Sequence, residues 1–153
     1  MKIHTIGGYN EVGKNMTALE VKDDVLLFDS GFFLPAIVAV EEREKNPTEK
    51  WMRNIGALPD DLYLEKHNLT SKVRSIMPSH AHLDHIGALP YNARRYKAPV
   101  LGTPFTLEVL KQIMNDNNQS IPNKLIPIEP NGTFTVRGKK NYKVEFLNMT
   151  HST

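Results

Sequence analysis

The stretch SHAHLDHIG, residues 79–87, places three of the chain's six histidines and one aspartate within six positions. It follows a short apolar run at 73–77 that predicts a buried strand, and it precedes a predicted helix. His80 and His82 are two positions apart in extended chain, so both imidazoles leave the same face and can converge on one ion. Asp84 and His85 fall at the start of the next helix and point to a neighbouring position. The sequence therefore predicts one loop that supplies ligands to two metal ions.

The ligand types indicate which metals this loop would bind. Imidazole and carboxylate ligands without thiolate suit Zn²⁺ or Mn²⁺, and zinc is the tighter binder at equal geometry. The chain has no cysteine, so thiolate sites and disulfides are excluded. The alternative is a histidine-rich surface turn with adventitious metal affinity. Such a turn has no reason to lie between a buried strand and an amphipathic helix.

Two residues elsewhere in the chain are candidates for the same site. His151 follows an apolar strand predicted at 144–147 and could supply a third imidazole to the first metal. Asp29 follows the apolar run 25–28, a position from which a buried aspartate can orient a ligand loop. His4 and His67 have no comparable neighbours and are predicted to be structural or exposed.

The glycine-rich stretch GGYNEVGKN, residues 7–15, raises a competing function. From Gly8 it departs by one residue from the phosphate-binding pattern G-x-x-x-x-G-K-[ST]. That pattern needs a hydroxyl after the lysine and a helix opening there. Asn15 has no hydroxyl, however, and residues 17–22 alternate as in a strand. We therefore predict a turn between two strands with Glu11, Lys14 and Asn15 at its tip.

Length and composition favour one cytoplasmic domain. A chain of 153 residues is large enough to bury one hydrophobic core. Its net charge of +2 permits an RNA partner without predicting one. The start, MKIHTIGG, lacks the apolar segment of a signal peptide, and no run is long enough to span a bilayer, so no membrane partner is expected.

The periodicity of the chain predicts an α/β fold in which sheet layers are covered by helices. Residues 32–69 contain three prolines and a charged run at 41–45, and they are predicted to be a surface excursion with one short helix. The predicted strands are 2–6, 16–21, 25–28, 73–77, 99–102, 125–128, 133–136 and 144–147. The predicted helices are 49–55, 88–97 and 104–115.

These motifs resemble the metallo-β-lactamase fold superfamily. The order and spacing of Phe28-Asp29-Ser30-Gly31, the 80–85 cluster and His151 are similar to the first three motifs of that fold. Within the superfamily, residues 7–16 and HIGALP, residues 85–90, resemble the ribonuclease J family, in the archaeal branch of the beta-CASP nucleases. The resemblance implies an αββα sandwich. Residues 1–153 would be its N-terminal part, with the beta-CASP insertion and the remainder of the domain absent.

The resemblance also implies a zinc-dependent ribonuclease that hydrolyses RNA phosphodiesters, chiefly as a 5′-to-3′ exonuclease and also by endonuclease cleavage. Asp84 and His85 would be its catalytic residues, and the full-length protein would be a homodimer. The resemblance implies two zinc ions, with Mn²⁺ as the alternative metal. The first ion would be bound by His80, His82 and His151, and the second by Asp84 and His85. Asp29 would support these ligands. The family's bridging aspartate and a further histidine are missing from this chain. The chain alone, without the remainder of the polypeptide, is therefore expected to be inactive.

Two other functions stay open. The same motif serves hydrolases of thioesters, lactams and small phosphoesters, and a fold does not fix a substrate. A non-catalytic RNA-binding relative is the second alternative, although all five expected metal-binding residues are present. Basic clusters at 94–97 and 137–143 could guide an RNA backbone, but clusters of this size are most often solvated surface.

Overall fold

The fold is built around one six-stranded sheet with helices on one face and a two-stranded hairpin on the other. The computed structural model describes residues 1–40 and 47–150. The strands in these ranges are β1 Lys2–Gly7, β2 Met16–Val21, β3 Asp24–Phe28, β4 Val73–Met77, β5 Val100–Gly102, β6 Leu125–Pro127, β7 Thr133–Arg137 and β8 Asn141–Glu145. The helices are α1 Leu34–Val38, α2 Glu49–Asn54, α3 Leu62–Lys66, α4 Leu83–Ile86, α5 Leu89–Asn92 and α6 Pro104–Asp116, with 3₁₀ turns at Thr70–Lys72 and Ala93–Arg95.

The six-stranded sheet runs in sequence order from β1 to β6. The first three strands pair antiparallel, and β3 to β6 pair parallel, with helices in the connections between them. The carboxyl ends of parallel strands lie at the same end of a sheet. The residues that follow β3 and β4 therefore meet there, and these include Asp29 and the 79–87 stretch.

Strand alternation divides the core between the two faces of this sheet. On β3, Val25 and Leu27 are buried in the same cluster as Leu107 of α6. Leu26 points to the opposite cluster, which the β7–β8 hairpin covers through Val136. The α/β prediction is thus confirmed. The described residues form three of the four layers of an αββα sandwich: the helices, the six-stranded sheet and the β7–β8 sheet.

The largest differences from the predicted elements lie in residues 32–69. The sequence predicts one short helix there, whereas the structure has α1, α2 and α3. Because α1 and α3 have five residues each, they are too short for a 3.6-residue pattern to stand out. The charged run at 41–45 lies outside the described residues.

Two further boundaries shift. The helix predicted at 88–97 is a four-residue helix followed by a 3₁₀ turn. The last strand is 141–145 instead of 144–147, because these residues pair antiparallel with β7, from Asn141 opposite Arg137 to Glu145 opposite Thr133. The longest helix, α6, has 13 residues, and no helix in the described ranges is long and apolar enough to cross a membrane.

Asp24 joins the hairpin to the six-stranded sheet. Its buried carboxylate accepts hydrogen bonds from Arg74 Nε at 2.6 Å and from Tyr142 Oη at 3.0 Å. The backbone N–H of Lys139 donates to it at 2.7 Å. Gly138 permits this approach, because a Cβ at that position would lie 2.5 Å from Asp24 Oδ2. The two sheets are therefore tied together at the start of β3.

Replacement of Asp24 by asparagine should lower the free energy of unfolding by about 2–4 kcal/mol, because it leaves Arg74 and the hairpin donors incompletely paired. Denaturant titration followed by circular dichroism measures this loss. Asp23→Asn is the matched control, since the Asp23 side chain is 56% exposed and should matter little. Equal losses in the two variants would show that Asp24 has no special role.

The same contacts predict a pH dependence of stability. Burial alone would raise the pKa of Asp24, but hydrogen bonds from Arg74, Tyr142 and the 139–140 amides outweigh it and lower the pKa. The stabilisation is therefore present above about pH 4, the pKa of an unfolded aspartate, and is lost as pH falls through the lower folded value. In titrations at decreasing pH, the stability difference between wild type and Asp24→Asn should shrink below about pH 4. A difference that stays constant would contradict this explanation.

Candidate metal centre

The candidate metal centre lies at the carboxyl end of β4, where the 79–87 stretch begins. His80 Nε2 and His82 Nδ1 lie 3.0 Å apart. Two nitrogens bound to one tetrahedral zinc at about 2.0–2.1 Å would lie roughly 3.3 Å apart. The two imidazoles therefore converge closely enough to bind one ion.

Asp84 and His85 form a second pair of donors. They lie in α4, a one-turn helix, instead of at the start of the longer helix predicted further along the chain. Asp84 Oδ2 is 3.5 Å from His85 Nε2. The ring centroid of His85 is 4.0 Å from that of His80, so the two pairs lie side by side. The structure thus brings the four predicted loop residues together.

Asp29 holds this loop from the end of β3. Its φ of 59° is a left-handed conformation in which aspartate is enriched. Asp29 Oδ1 accepts the backbone N–H of Ser79 at 2.6 Å, and Oδ2 lies 2.9 Å from His85 Nδ1. Because a carboxylate only accepts, Nδ1 carries the proton, and Nε2 of a neutral His85 keeps its lone pair. This tautomer leaves Nε2 able to bind a metal.

The electrostatics of the centre favour positive charge. Burial lowers the pKa of His85, but the hydrogen bond with Asp29 and the charges of Asp29 and Asp84 outweigh it and raise the pKa. The two carboxylates therefore stabilise a cation at this end of the sheet, as they would for a bound metal ion.

The glycine-rich loop between β1 and β2 forms one wall of the centre. The chain enters β2 at Met16, so the turn between strands is confirmed and a phosphate-binding loop is excluded. Asn15 Nδ2 donates to the carbonyl oxygen of Asp84 at 3.0 Å and to Asp84 Oδ2 at 3.1 Å. Sequence reasoning missed this contact, since it joins residues 69 positions apart and no local pattern pairs them.

Backbone contacts fix the loops around α4. Ser30 N–H donates to the carbonyl of His85 at 2.7 Å, and Asn15 N–H donates to that of Asp84 at 3.1 Å. Gly31 lies so close to α4 that a Cβ there would overlap the carbonyl group of Asp84. The three loops thus pack backbone against backbone, which limits the movement of the metal-binding side chains.

A complete set of ligands is not found in the part of the chain that the structure describes. Among residues 1–40 and 47–150, no group of three or more histidine, aspartate or glutamate side chains is arranged to hold a single ion. The predicted third imidazole, His151, lies outside the described residues. The described residues supply two pairs of donor atoms: two nitrogens from His80 and His82, and an oxygen and a nitrogen from Asp84 and His85. These donor types fit zinc or manganese.

His4, His67 and the two basic clusters contact residues outside the candidate centre. His4 pairs with Glu20 at 3.0 Å, and His67 stacks on Tyr63, in keeping with structural roles. In the basic clusters, Arg95 pairs with Glu49, and Lys139 pairs with Asp23. At least one basic side chain of each cluster therefore forms an ion pair within the chain.

A groove of about 650 Å³ opens beside His80. Its surface is largely apolar, with Phe105 at 55%, Leu147 at 66% and Met149 at 74% exposure. The candidate centre therefore adjoins an open apolar surface on its His80 side.

Comparison with known proteins gives a consistent result. The metallo-beta-lactamase superfamily profile matches residues 9–139. Ribonuclease J of Methanocaldococcus jannaschii is 36% identical over 99% of this chain and 34% of that protein. Ribonuclease J of Pyrococcus abyssi is 39% identical over 99% of this chain and 33% of that protein. The chain thus spans about a third of the length of these curated relatives.

Among solved structures, the short form of human tRNase Z aligns with 84% of this chain and 44% of its own chain, at 15% identity and a TM-score of 0.48. The superfamily profile covers most of the chain, and the sheet, its helices and the histidine loop occupy the order that the motifs predict. The chain therefore belongs to the metallo-beta-lactamase superfamily and, within it, is similar to the ribonuclease J proteins.

Proposed function

We propose that this chain is the ligand-bearing part of a metal-dependent ribonuclease. The enzyme would hydrolyse RNA phosphodiesters, chiefly as a 5′-to-3′ exonuclease and also by endonuclease cleavage. The observation that carries the proposal is the convergence of two donor pairs, His80 with His82 and Asp84 with His85, on one end of the sheet. Similarity to two proteins named ribonuclease J over 99% of the chain supports RNA as the substrate.

The donor types fit two zinc ions, with Mn²⁺ as the alternative. We propose His80, His82 and His151 as ligands of the first ion and Asp84 and His85 as ligands of the second. When bound, such ions lower the pKa of a coordinated water and stabilise charge at a phosphoryl centre.

Within this site the residues of the chain have separate tasks. Asp29 holds the Nδ1 proton of His85 and so keeps Nε2 available on the other side of the ring. Through Ser79 N–H it also fixes the backbone at the start of the histidine loop. Asp84 and His85 are the proposed catalytic residues because they would contact the metal at the reacting centre.

We further propose that residues outside 1–153 complete the centre. Zinc sites use at least three protein ligands, whereas only Asp84 and His85 are proposed for the second ion. The chain also spans only about a third of its curated relatives. Polypeptide 1–153 alone is therefore expected to be inactive and to bind metal incompletely. For the full-length protein we propose a cytoplasmic homodimer, and the absence of cysteine agrees with a reducing compartment.

Metal removal tests this function. Full-length polypeptide reconstituted with zinc or manganese should degrade 5′-monophosphorylated single-stranded RNA. This activity should be lost after dialysis against a chelator and should return when the metal is restored. Gel analysis of end-labelled RNA measures both the rate and the direction of cleavage.

A substrate panel separates the alternatives. Turnover of a thioester or lactam with RNA left intact would favour a hydrolase of another class. RNA binding that persists without any turnover, in metal-loaded protein, would favour a non-catalytic relative.

A further inference from the structure

We infer that Asn15 is a positioning residue for the candidate metal centre, because its side-chain amide fixes the Asp84 carboxylate and so sets the geometry of the Asp84–His85 pair. The inference rests on the proposed metal-dependent function. It also gives the glycine-rich loop, which is not a nucleotide site, a task in that function.

The hydrogen bonds of the amide determine its orientation. Asn15 Nδ2 lies 3.0 Å from the carbonyl oxygen of Asp84, 3.1 Å from Asp84 Oδ2 and 3.2 Å from His85 Nε2. The two Asp84 oxygens only accept, so the atom that faces them must be the amide nitrogen. His85 Nε2 lies within hydrogen-bonding distance of the same nitrogen, so the Asn15 amide contacts both members of the Asp84–His85 pair. The amide therefore holds the Asp84 carboxylate beside His85.

The surrounding backbone holds Asn15 in place. Its N–H donates to the Asp84 carbonyl, and its own carbonyl accepts from Gly31 N–H, both at 3.1 Å. Gly8 has φ 84°, and a Cβ there would overlap Asn15 Oδ1. Glycine at position 8 thus leaves room for the oxygen side of the amide and allows its nitrogen side to face Asp84.

Asn15 and Asp29 each hold one member of the Asp84–His85 pair. Asp29 holds His85 through Nδ1, and Asn15 holds Asp84 through Oδ2. A carboxylate oxygen has two lone pairs, so Oδ2 can accept from Asn15 and still bind an ion. Loss of such an outer partner typically costs about 10–100-fold in metal affinity or activity.

Asn15→Leu in the full-length polypeptide tests the inference, because leucine has a similar shape but no donor. Titration with Co²⁺, followed by visible absorption, should show two sites in the wild type. In the variant, one of them should weaken about 10–100-fold with an altered spectrum. The kcat for RNA should fall while KM stays near the wild-type value. Asn15→Ala, which adds no volume, should change the same site in the same direction.

Asn10→Leu is the matched control, since Asn10 lies exposed in the same loop. It should bind Co²⁺ as the wild type does. If both Asn15 variants keep two wild-type sites and an unchanged spectrum, Asn15 is merely structural and the inference is overturned, while RNA hydrolysis by the wild type would still support the proposed function. A wild-type protein that binds no metal would overturn both.

Discussion

Replacement of Asp84 by alanine is expected to abolish RNA hydrolysis by the full-length polypeptide while leaving it folded. The substitution removes one of the two donors described for the second ion. Loss of a residue that only supports a metal ligand lowers metal affinity or activity by at most about 100-fold. Because Asp84 is itself a proposed ligand, its loss should lower activity by more than that. The Asp84 side chain is 28% exposed in the one-turn helix α4, so little core packing is lost with it. His80→Ala should have the same effect through the first ion.

Metal content, turnover and circular dichroism, measured on the same preparations, check this prediction. His67→Ala is a matched control, because His67 stacks on Tyr63 at the end of α3. It should retain both metal and activity. If Asp84→Ala or His80→Ala keeps full metal content and normal turnover, the ligand assignment is wrong.

Gly31→Ala is expected to disrupt the same centre without removing a ligand. Its Cβ would overlap the Asp84 carbonyl group and lie 2.6 Å from the amide nitrogen of His85. These are backbone atoms that no rotamer change can move, so α4 and the loop after β3 must separate. We expect the free energy of unfolding to drop by about 3 kcal/mol, the upper part of the usual range for overpacking, and metal affinity to fall with it.

Gly56→Ala provides the comparison for that variant. Gly56 has φ 76°, and a Cβ added there would meet no atom within 4 Å, so alanine costs only backbone strain of about 1–2 kcal/mol. Thermal unfolding and Co²⁺ titration should show normal metal binding in Gly56→Ala and impaired binding in Gly31→Ala. Normal metal affinity in Gly31→Ala would contradict the close backbone packing described for this centre.

The sequence predicted the parts of the fold whose signal is local. β2, β3, β4 and α6 have apolar periodicity over several residues, and the structure places them within a residue or two of the predicted bounds. The histidine loop could also be identified, because its donors lie within six consecutive positions. The helices α1 and α3 were missed because five residues hold too little of a helical period.

Long-range contacts could not be predicted in this way. The hydrogen bond between Tyr142 and Asp24 joins residues 118 positions apart, and no local pattern reports that pairing. The same holds for Asn15 and Asp84. The position of Asp29 after a strand predicts a supporting role, and Asp29 does contact the histidine loop. His151, outside the described residues, stays a prediction.

Anomalous X-ray scattering at the zinc edge, from crystals of the metal-loaded full-length polypeptide, tests the central claim most directly. We expect two peaks, one within about 2.0–2.2 Å of His80 Nε2 and His82 Nδ1, and one at a similar distance from Asp84 Oδ2 and His85 Nε2. Metal-loaded crystals with no anomalous peak at this loop, or with zinc bound elsewhere, would contradict the account.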